Sequence, residues 1–229
     1  MKVVFVGPSL PNANDLSGHP IEIRPPAVQG DMLRAVRDGA TVIGLIDGGF
    51  EYTAPVWHKE ILYALSRRVA VVGAASMGAL RAAECQAFGM VGVGGIFNDY
   101  ASGELVDDAE VALLHGPMEY GFRPITLPMV NIRATVKALE NRQTFTAAEA
   151  YELETIAGTL FYKLRTWTGL HNHCEKLGHA EAKKRFEVCQ DQYVDQKRLD
   201  ALTLLEVVRD TEQGACVPWS FQSTSLWRD

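Results

Sequence analysis

Three short runs of the chain are apolar almost throughout, and none of them alternates with polar residues. They are Lys2–Val6 ("KVVFV"), Thr41–Ile46 ("TVIGLI") and Val69–Val72 ("VAVV"). A strand with one wet face alternates. A strand buried on both faces does not, and such burial marks a parallel sheet covered by helices on either side. Each run stops at small or turn-forming residues: Gly7-Pro8, Asp47-Gly48-Gly49, and Gly73-Ala74-Ala75. The intervening segments carry helical spacing. Met32, Leu33 and Val36 lie within Gly30–Arg37, which Gly39 closes. Val56, Ile61 and Leu65 follow Pro55, a residue suited to a first helical turn. Ser76–Phe88 is the next helix, with Gly89 after it. Ile21–Ile23, just before Arg24-Pro25-Pro26, reads as a further short strand.

Strand, helix, strand, helix in this order implies right-handed βαβ units. The expected fold is α/β: a doubly wound, mostly parallel sheet of Rossmann or flavodoxin type. The character changes near Pro128. Met129–Leu139, Ala147–Trp167 and Ala180–Val194 all have helical periodicity, and Thr146 with Glu149 forms a capping-box pattern. The expected division is an α/β core over 1–127 and an all-helical extension over 128–229. The tail after Gln213 is mixed in character and is expected to be poorly ordered.

Composition limits the partners. The chain has 229 residues, 47% of them hydrophobic, enough for a core without disulfides or metal. The formal net charge of −6 argues against a phosphate-binding surface, so no nucleic-acid partner is expected. No run reaches the roughly 20 apolar residues of a membrane span. The apolar start is cut short by Gly7-Pro8 and is read as a strand, not as a signal peptide. Cys85, Cys174, Cys189 and Cys216 include no CxxC pair, so reduced thiols in a cytoplasmic protein are expected, with no metal site.

In a doubly wound sheet, ligands bind beyond the carboxyl ends of the strands. Three such ends carry polar residues, and adjacent strands would bring Ser9, Asp47 and Ser76 to one crevice. "GAASMG" resembles a nucleophile elbow, with Ala74 and Gly78 as its small flanking residues. Ser76 would sit at a helix N-terminus, where the N–H groups of Met77 and Gly78 can face an oxyanion. The plainer reading makes Ser76 an N-cap. His58 lies in a first helical turn, where the dipole favours the neutral imidazole, so it is a candidate base or else a surface histidine. Asp47 would orient that histidine or bind an amide, or be a turn aspartate before glycine. Arg81 would hold a carboxylate or form a surface ion pair. Asp107, Asp108 and Glu110 are read as the start of a helix over Asp108–His115 and not as a metal cluster. Gly92 and Gly94 resemble part of a dinucleotide fingerprint, but they are read as following a helix, which is the wrong context.

Taken together, several segments resemble the TfuA-like family. They are "GPSLP" at Gly7–Pro11, "RPPAVQGD" at Arg24–Asp31, "IDGGF" at Ile46–Phe50 and "VWHKEILYAL" at Val56–Leu65. "GAASMGALRAAE" at Gly73–Glu84 is the most distinctive, and "FGMVGVGGIF" and "DDAEVALLHGP" continue it. "PMVNIRAT" at Pro128–Thr135 and "QKRLDA" at Gln196–Ala201 extend it further. The second glycine of "IDGGF" departs from the pattern and would widen the loop after Asp47.

The resemblance implies work beside a YcaO enzyme, an ATP-dependent activator of peptide amides, in thioamide formation. It also implies a ubiquitin-like sulfur-carrier protein whose thiocarboxylate is hydrolysed to give sulfide. ATP would then belong to the partner, and no cofactor is expected on this chain. Ser76 would attack, His58 would act as base with Asp47 behind it, and Met77 and Gly78 would face the oxyanion. Ser9, Arg81 and Arg24 would bind substrate. The alternative is a non-catalytic adaptor that docks the carrier to YcaO.

Overall fold

In a computed structural model, the described residues are 1–16, 21–49, 51–224 and 227, so Phe50 of the quoted motif lies outside them. The α/β elements are β1 (Lys2–Phe5), α1 (Ala13–Leu16), β2 (Ile21–Arg24), α2 (Asp31–Arg37), β3 (Val42–Leu45), α3 (His58–Ser66), β4 (Ala70–Gly73), α4 (Met77–Cys85), β5 (Val91–Gly92) and α5 (Gly95–Ser102). Then come α6 (Met129–Asn141), α7 (Ala147–Thr159), α8 (Trp167–Leu177), α9 (Ala180–Asp191) and α10 (Gln196–Asp210).

The strands form one five-stranded parallel sheet in the order β2-β1-β3-β4-β5, the flavodoxin-type order. The apolar runs become β1, β3 and β4 at its centre. Along β1, Val3 and Phe5 face one side while Val4 and Val6 face the other. The Val3 side packs on α2, α3 and α4 through Met32, Ile61, Leu65 and Ala82. The Val4 side packs on α10 through Ala201, Leu204, Leu205 and Val208. A helix from the far end of the chain therefore covers half of the sheet. Gly44 permits this approach, since a Cβ there would lie 2.7 Å from Leu204 and 3.1 Å from Val208.

Helices α6 to α9 enclose a second core around Ile132, Val136, Leu139, Leu153 and Phe186. The Thr146–Glu149 capping box opens α7, with Thr146 N donating to Glu149 Oε2 at 2.8 Å.

Four expectations need correction. The helix expected over Ala147–Trp167 ends at Thr159; a 3₁₀ turn at Tyr162–Leu164 follows, and Trp167 opens a separate helix, α8. Arg165 makes the break. Its buried guanidinium donates to the carbonyls of Ala157 at 3.2 Å and Leu160 at 2.9 Å, satisfying the end of α7. The helix expected over Asp108–His115 is a single 3₁₀ turn, Asp108–Glu110, followed by an irregular segment that bridges His115 to Pro124. Side chains from elsewhere take its backbone groups. Thr126 Oγ accepts from Leu114 N at 2.8 Å, and Lys197 Nζ donates to Val111 O at 2.8 Å. In "GMVGVGGI", Gly92 ends a strand, β5, and Gly94 lies between that strand and α5, so the pair does not simply follow a helix. Finally, the described part of the tail is docked: Gly214 N donates to Arg68 O at 3.1 Å, and Trp219 Nε1 donates to Phe88 O at 3.1 Å. Phe221 packs edge-on against Tyr63 at 5.4 Å.

Candidate functional site

The carboxyl ends of β1, β3 and β4 open into a cavity of about 380 Å³. It lies where the strand order reverses between β1 and β3, the position at which doubly wound sheets hold ligands. Its wall includes Asp47, Gly48, Ser76, Met77, His115 and Lys197.

Asp47 is 2% exposed and its carboxylate accepts three hydrogen bonds. Oδ2 accepts from Gly7 N and Ser9 N, both at 2.9 Å, and Oδ1 accepts from Ser9 Oγ at 2.7 Å. The aspartate thus fixes the turn after β1, and Ser9 is part of that clamp. Gly49 closes the following loop instead of widening it. Its N–H donates to Ala27 O at 2.8 Å, and a Cβ would lie 2.0 Å from Thr53 Oγ1.

Ser76 follows a tight three-residue turn. Its N–H donates to Ala74 O at 2.7 Å across Ala75, whose φ is 65°. A non-glycine residue in this region costs on the order of 1–3 kcal/mol. Ser76 stands at the N-cap of α4, yet its side chain makes no capping bond, and Oγ has no protein partner among the described residues. The N–H of Met77 likewise has no partner among them, whereas that of Gly78 donates to Ile46 O at 3.0 Å. Gly78 is therefore already committed and does not offer its N–H to an oxyanion. Its contribution is steric: a Cβ would lie 1.7 Å from Leu45 O, so only glycine lets α4 start this close to β3.

His58 is not in this wall. Its Nε2 lies 2.7 Å from Glu84 Oε2, and Glu84 also accepts from Arg81 at 2.6 Å. Arg81 donates in addition to Val56 O at 3.2 Å and lines an adjoining groove with Glu84 and Asp108. Arg24 is held by Glu22 and Asp38, each at 2.8 Å, outside the cavity wall. Asp47, Ser9 and Ser76 are brought to neighbouring strand ends; Arg24 also ends a strand, β2, beside β1, but its side chain is held by Glu22 and Asp38, and neither it nor His58 lines the cavity.

Two cavity residues lay outside the set of candidates read from sequence. His115 Nδ1 lies 2.7 Å from Gly116 O. A carbonyl only accepts, so Nδ1 is the donor in this bond. Lys197 is 2% exposed, and burial lowers its pKa against the opposing pull of Asp47 and Asp195. In sequence it is one lysine on a helical pattern, which reads as a wet face; only its place in "QKRLDA" singles it out. The cysteines offer no nucleophile to this site. Burial pushes Cys85 up to about 11 and Cys189 up to about 12, and neither lines the cavity.

The Gly92–Gly94 turn does have strand-to-helix context, but its anion position is taken. Asp200 accepts from Gly95 N at 3.0 Å and Ile96 N at 2.8 Å. A Cβ on Gly94 would lie 2.3 Å from Asp200 Cγ. The acidic run is also engaged. Asp107 accepts from Ala109 N at 2.9 Å, and Glu110 forms a fork with Arg133, 3.0 Å at each oxygen.

Fold and cavity define an α/β protein of flavodoxin-type strand order, with a cavity at its topological switch point. The chain belongs to the TfuA-like family, whose sequence profile matches residues 47–166, more than half of its length. That family is associated with YcaO-dependent thioamidation. The matched range starts at Asp47 and includes Ser76 and His115; the segments at 7–11, 24–31 and 196–201 lie outside it. No curated protein matches the chain. Among the described residues, no helix is long and apolar enough to cross a membrane.

Proposed function

We propose that the cavity hydrolyses the terminal thiocarboxylate of a ubiquitin-like sulfur-carrier protein, releasing sulfide to a YcaO partner that carries the ATP chemistry. One observation carries this reading. A serine hydroxyl with no protein partner among the described residues faces the cavity at the N-terminus of α4, behind a strained turn and beside the N–H of Met77, which is likewise unspent among them. A serine that merely capped the helix would give its oxygen to the first turn. Here the first turn is left open, as acyl transfer requires of a nucleophile and its oxyanion donor. Asp47 acts by holding the β1 turn against the site, and not by orienting His58.

The test mixes purified protein with thiocarboxylated carrier in the absence of YcaO and follows sulfide and carrier mass. Turnover is expected, with Ser76→Ala lowering it at least about 10²-fold. Absence of turnover above background would remove the hydrolase and leave the adaptor reading. Equal rates for Ser76→Ala and the unaltered protein would remove Ser76 as nucleophile.

A further inference from the structure

Five large apolar side chains stand exposed just beyond the cavity wall: Met118, Tyr120, Ile125, Phe161 and Leu164. A sixth, Tyr52, belongs to the wall and is still 78% exposed. All five are tied to wall residues. Met118 and Tyr120 occupy the loop between His115 and Phe122, whose rings meet at 5.8 Å. Ile125 N donates to the carbonyl of Leu114, another wall residue, at 2.8 Å. The Phe161 ring lies 4.7 Å from that of Tyr162 in the wall, and Leu164 shares its 3₁₀ turn. Lys163 Nζ joins the two aromatic edges, 4.8 Å from the Tyr52 ring and 5.6 Å from that of Phe161.

A ligand contained in the cavity does not touch the five outer side chains. They have a role in binding only if the ligand is larger than the cavity. We infer that this apolar rim is the docking face for the body of the carrier protein whose tail enters the cavity. The inference rests on the reading of the cavity as acting on a carrier's terminus.

Composition, order and charge support it. Tyrosine, phenylalanine, methionine and arginine are the residues enriched at the centres of protein interfaces, where other charges are depleted. Between Leu113 and Thr126 the charged residues are Glu119 and Arg123 alone. The loop that displays Met118 and Tyr120 is held closed, with Gly116 N donating to Arg123 O at 2.9 Å and Gly121 N to Met118 O at 2.8 Å. A surface already ordered loses little freedom on binding. The exposed Arg123 guanidinium has no partner among the described residues, so it calls for an anionic group on the partner's face, beside the tail. Size separates a carrier from a second copy of this chain. Six side chains fall well short of the roughly 20–30 residues a side of a standard stable interface. A small contact suits a partner that must leave after every turnover.

The test uses the carrier in its ordinary carboxylate form, labelled with fluorescein on its body and titrated with the full chain by fluorescence anisotropy. Binding is expected, and Tyr120→Ala combined with Ile125→Ala should weaken it about tenfold or more. Arg123→Glu should weaken it too, most at low salt. Tyr151→Ala removes an equally exposed ring from α7, outside the cavity wall, and should bind as the unaltered protein does. With thiocarboxylated carrier, the Tyr120/Ile125 variant should show a raised KM and an unchanged kcat. Unchanged affinity and KM in that variant would overturn the docking face while leaving the hydrolase in place; if the variant loses YcaO instead, the face belongs to YcaO. An equal loss in Tyr151→Ala, or no binding by the unaltered protein, would also overturn it. So would a dimer in sedimentation that the variant dissociates. Rim-dependent binding without sulfide release would keep the docking face and remove the hydrolase.

Discussion

Gly78 shows how a single missing methyl group can set a site. Its N–H reaches Ile46 O at 3.0 Å, and the space its side chain would need belongs to the Leu45 carbonyl, 1.7 Å away. Backbone cannot give way as a flexible side chain can, so a methyl group must push α4 off the end of β3. Gly78→Ala is therefore expected to cost about 1–3 kcal/mol, the range for overpacking a close-packed core. Urea denaturation followed by circular dichroism measures it, and a midpoint equal to that of the unaltered protein would contradict the close approach. Because Ser76 rides on the same turn, labelling of Ser76 by a fluorophosphonate, a reagent for reactive serine hydroxyls, should fall in this variant even where the fold persists. A small residue two positions after the serine was visible in sequence. That the residue makes room for a strand carbonyl was not, because the carbonyl belongs to residue 45, thirty-three positions earlier in the chain.

At the scale of elements, α10 joins two parts of the chain that sequence pattern keeps apart. Leu204 is fully buried between α10 and β3, against the gap left by Gly44. Leu204→Ala should destabilise by about 2–5 kcal/mol, the cost of deleting a buried leucine side chain. Thermal unfolding would show this, and a loss under about 1 kcal/mol would mean that the sheet face is not closed as described. The central strands were legible because β1, β3 and β4 are buried on both faces, which removes polar alternation. β5 was not, since two residues carry no period. The break between α7 and α8 was hidden for another reason: apolar periodicity continues across it, and Arg165 interrupts it through bonds to carbonyls that spacing does not register. The strand ends located Asp47 and Ser76 at the cavity. Lys197 needed the fold, because a lysine becomes a buried group only when the helix carrying it is laid over a sheet built some 150 residues earlier.

The whole molecule makes one cavity from two regions. Strand ends supply Asp47 and Ser76, the 111–115 segment supplies His115, and the helical half supplies Tyr162 and Lys197. A second link closes across the mouth. Lys163 bonds Glu51, and its Nζ donates to Tyr52 OH at 2.7 Å and sits 4.8 Å from the Tyr52 ring centre. Tyr52 lines the cavity although most of its surface is exposed, so Lys163 holds an aromatic wall that little else packs against. Charges this exposed contribute little to global stability, but they can restrict a loop. Lys163→Met should leave the melting temperature unchanged within error, because neither core loses apolar contacts. It should speed amide hydrogen exchange in the 51–54 segment, which is the loop that loses its tether. Unchanged exchange there would mean that the loop is fixed by its other ties, the Gly49–Ala27 bond, the Gln29 N to Ala54 O bond at 2.9 Å and the packing of Thr53 on Gly49. Faster exchange with full fluorophosphonate labelling at Ser76 would separate the mouth from the chemistry, since the serine turn is anchored at the end of β3 through Gly78 N and Ile46 O. Under the proposed function such a variant would bind the carrier more weakly and turn it over at an undiminished maximal rate, because the groups at the cavity floor would be undisturbed.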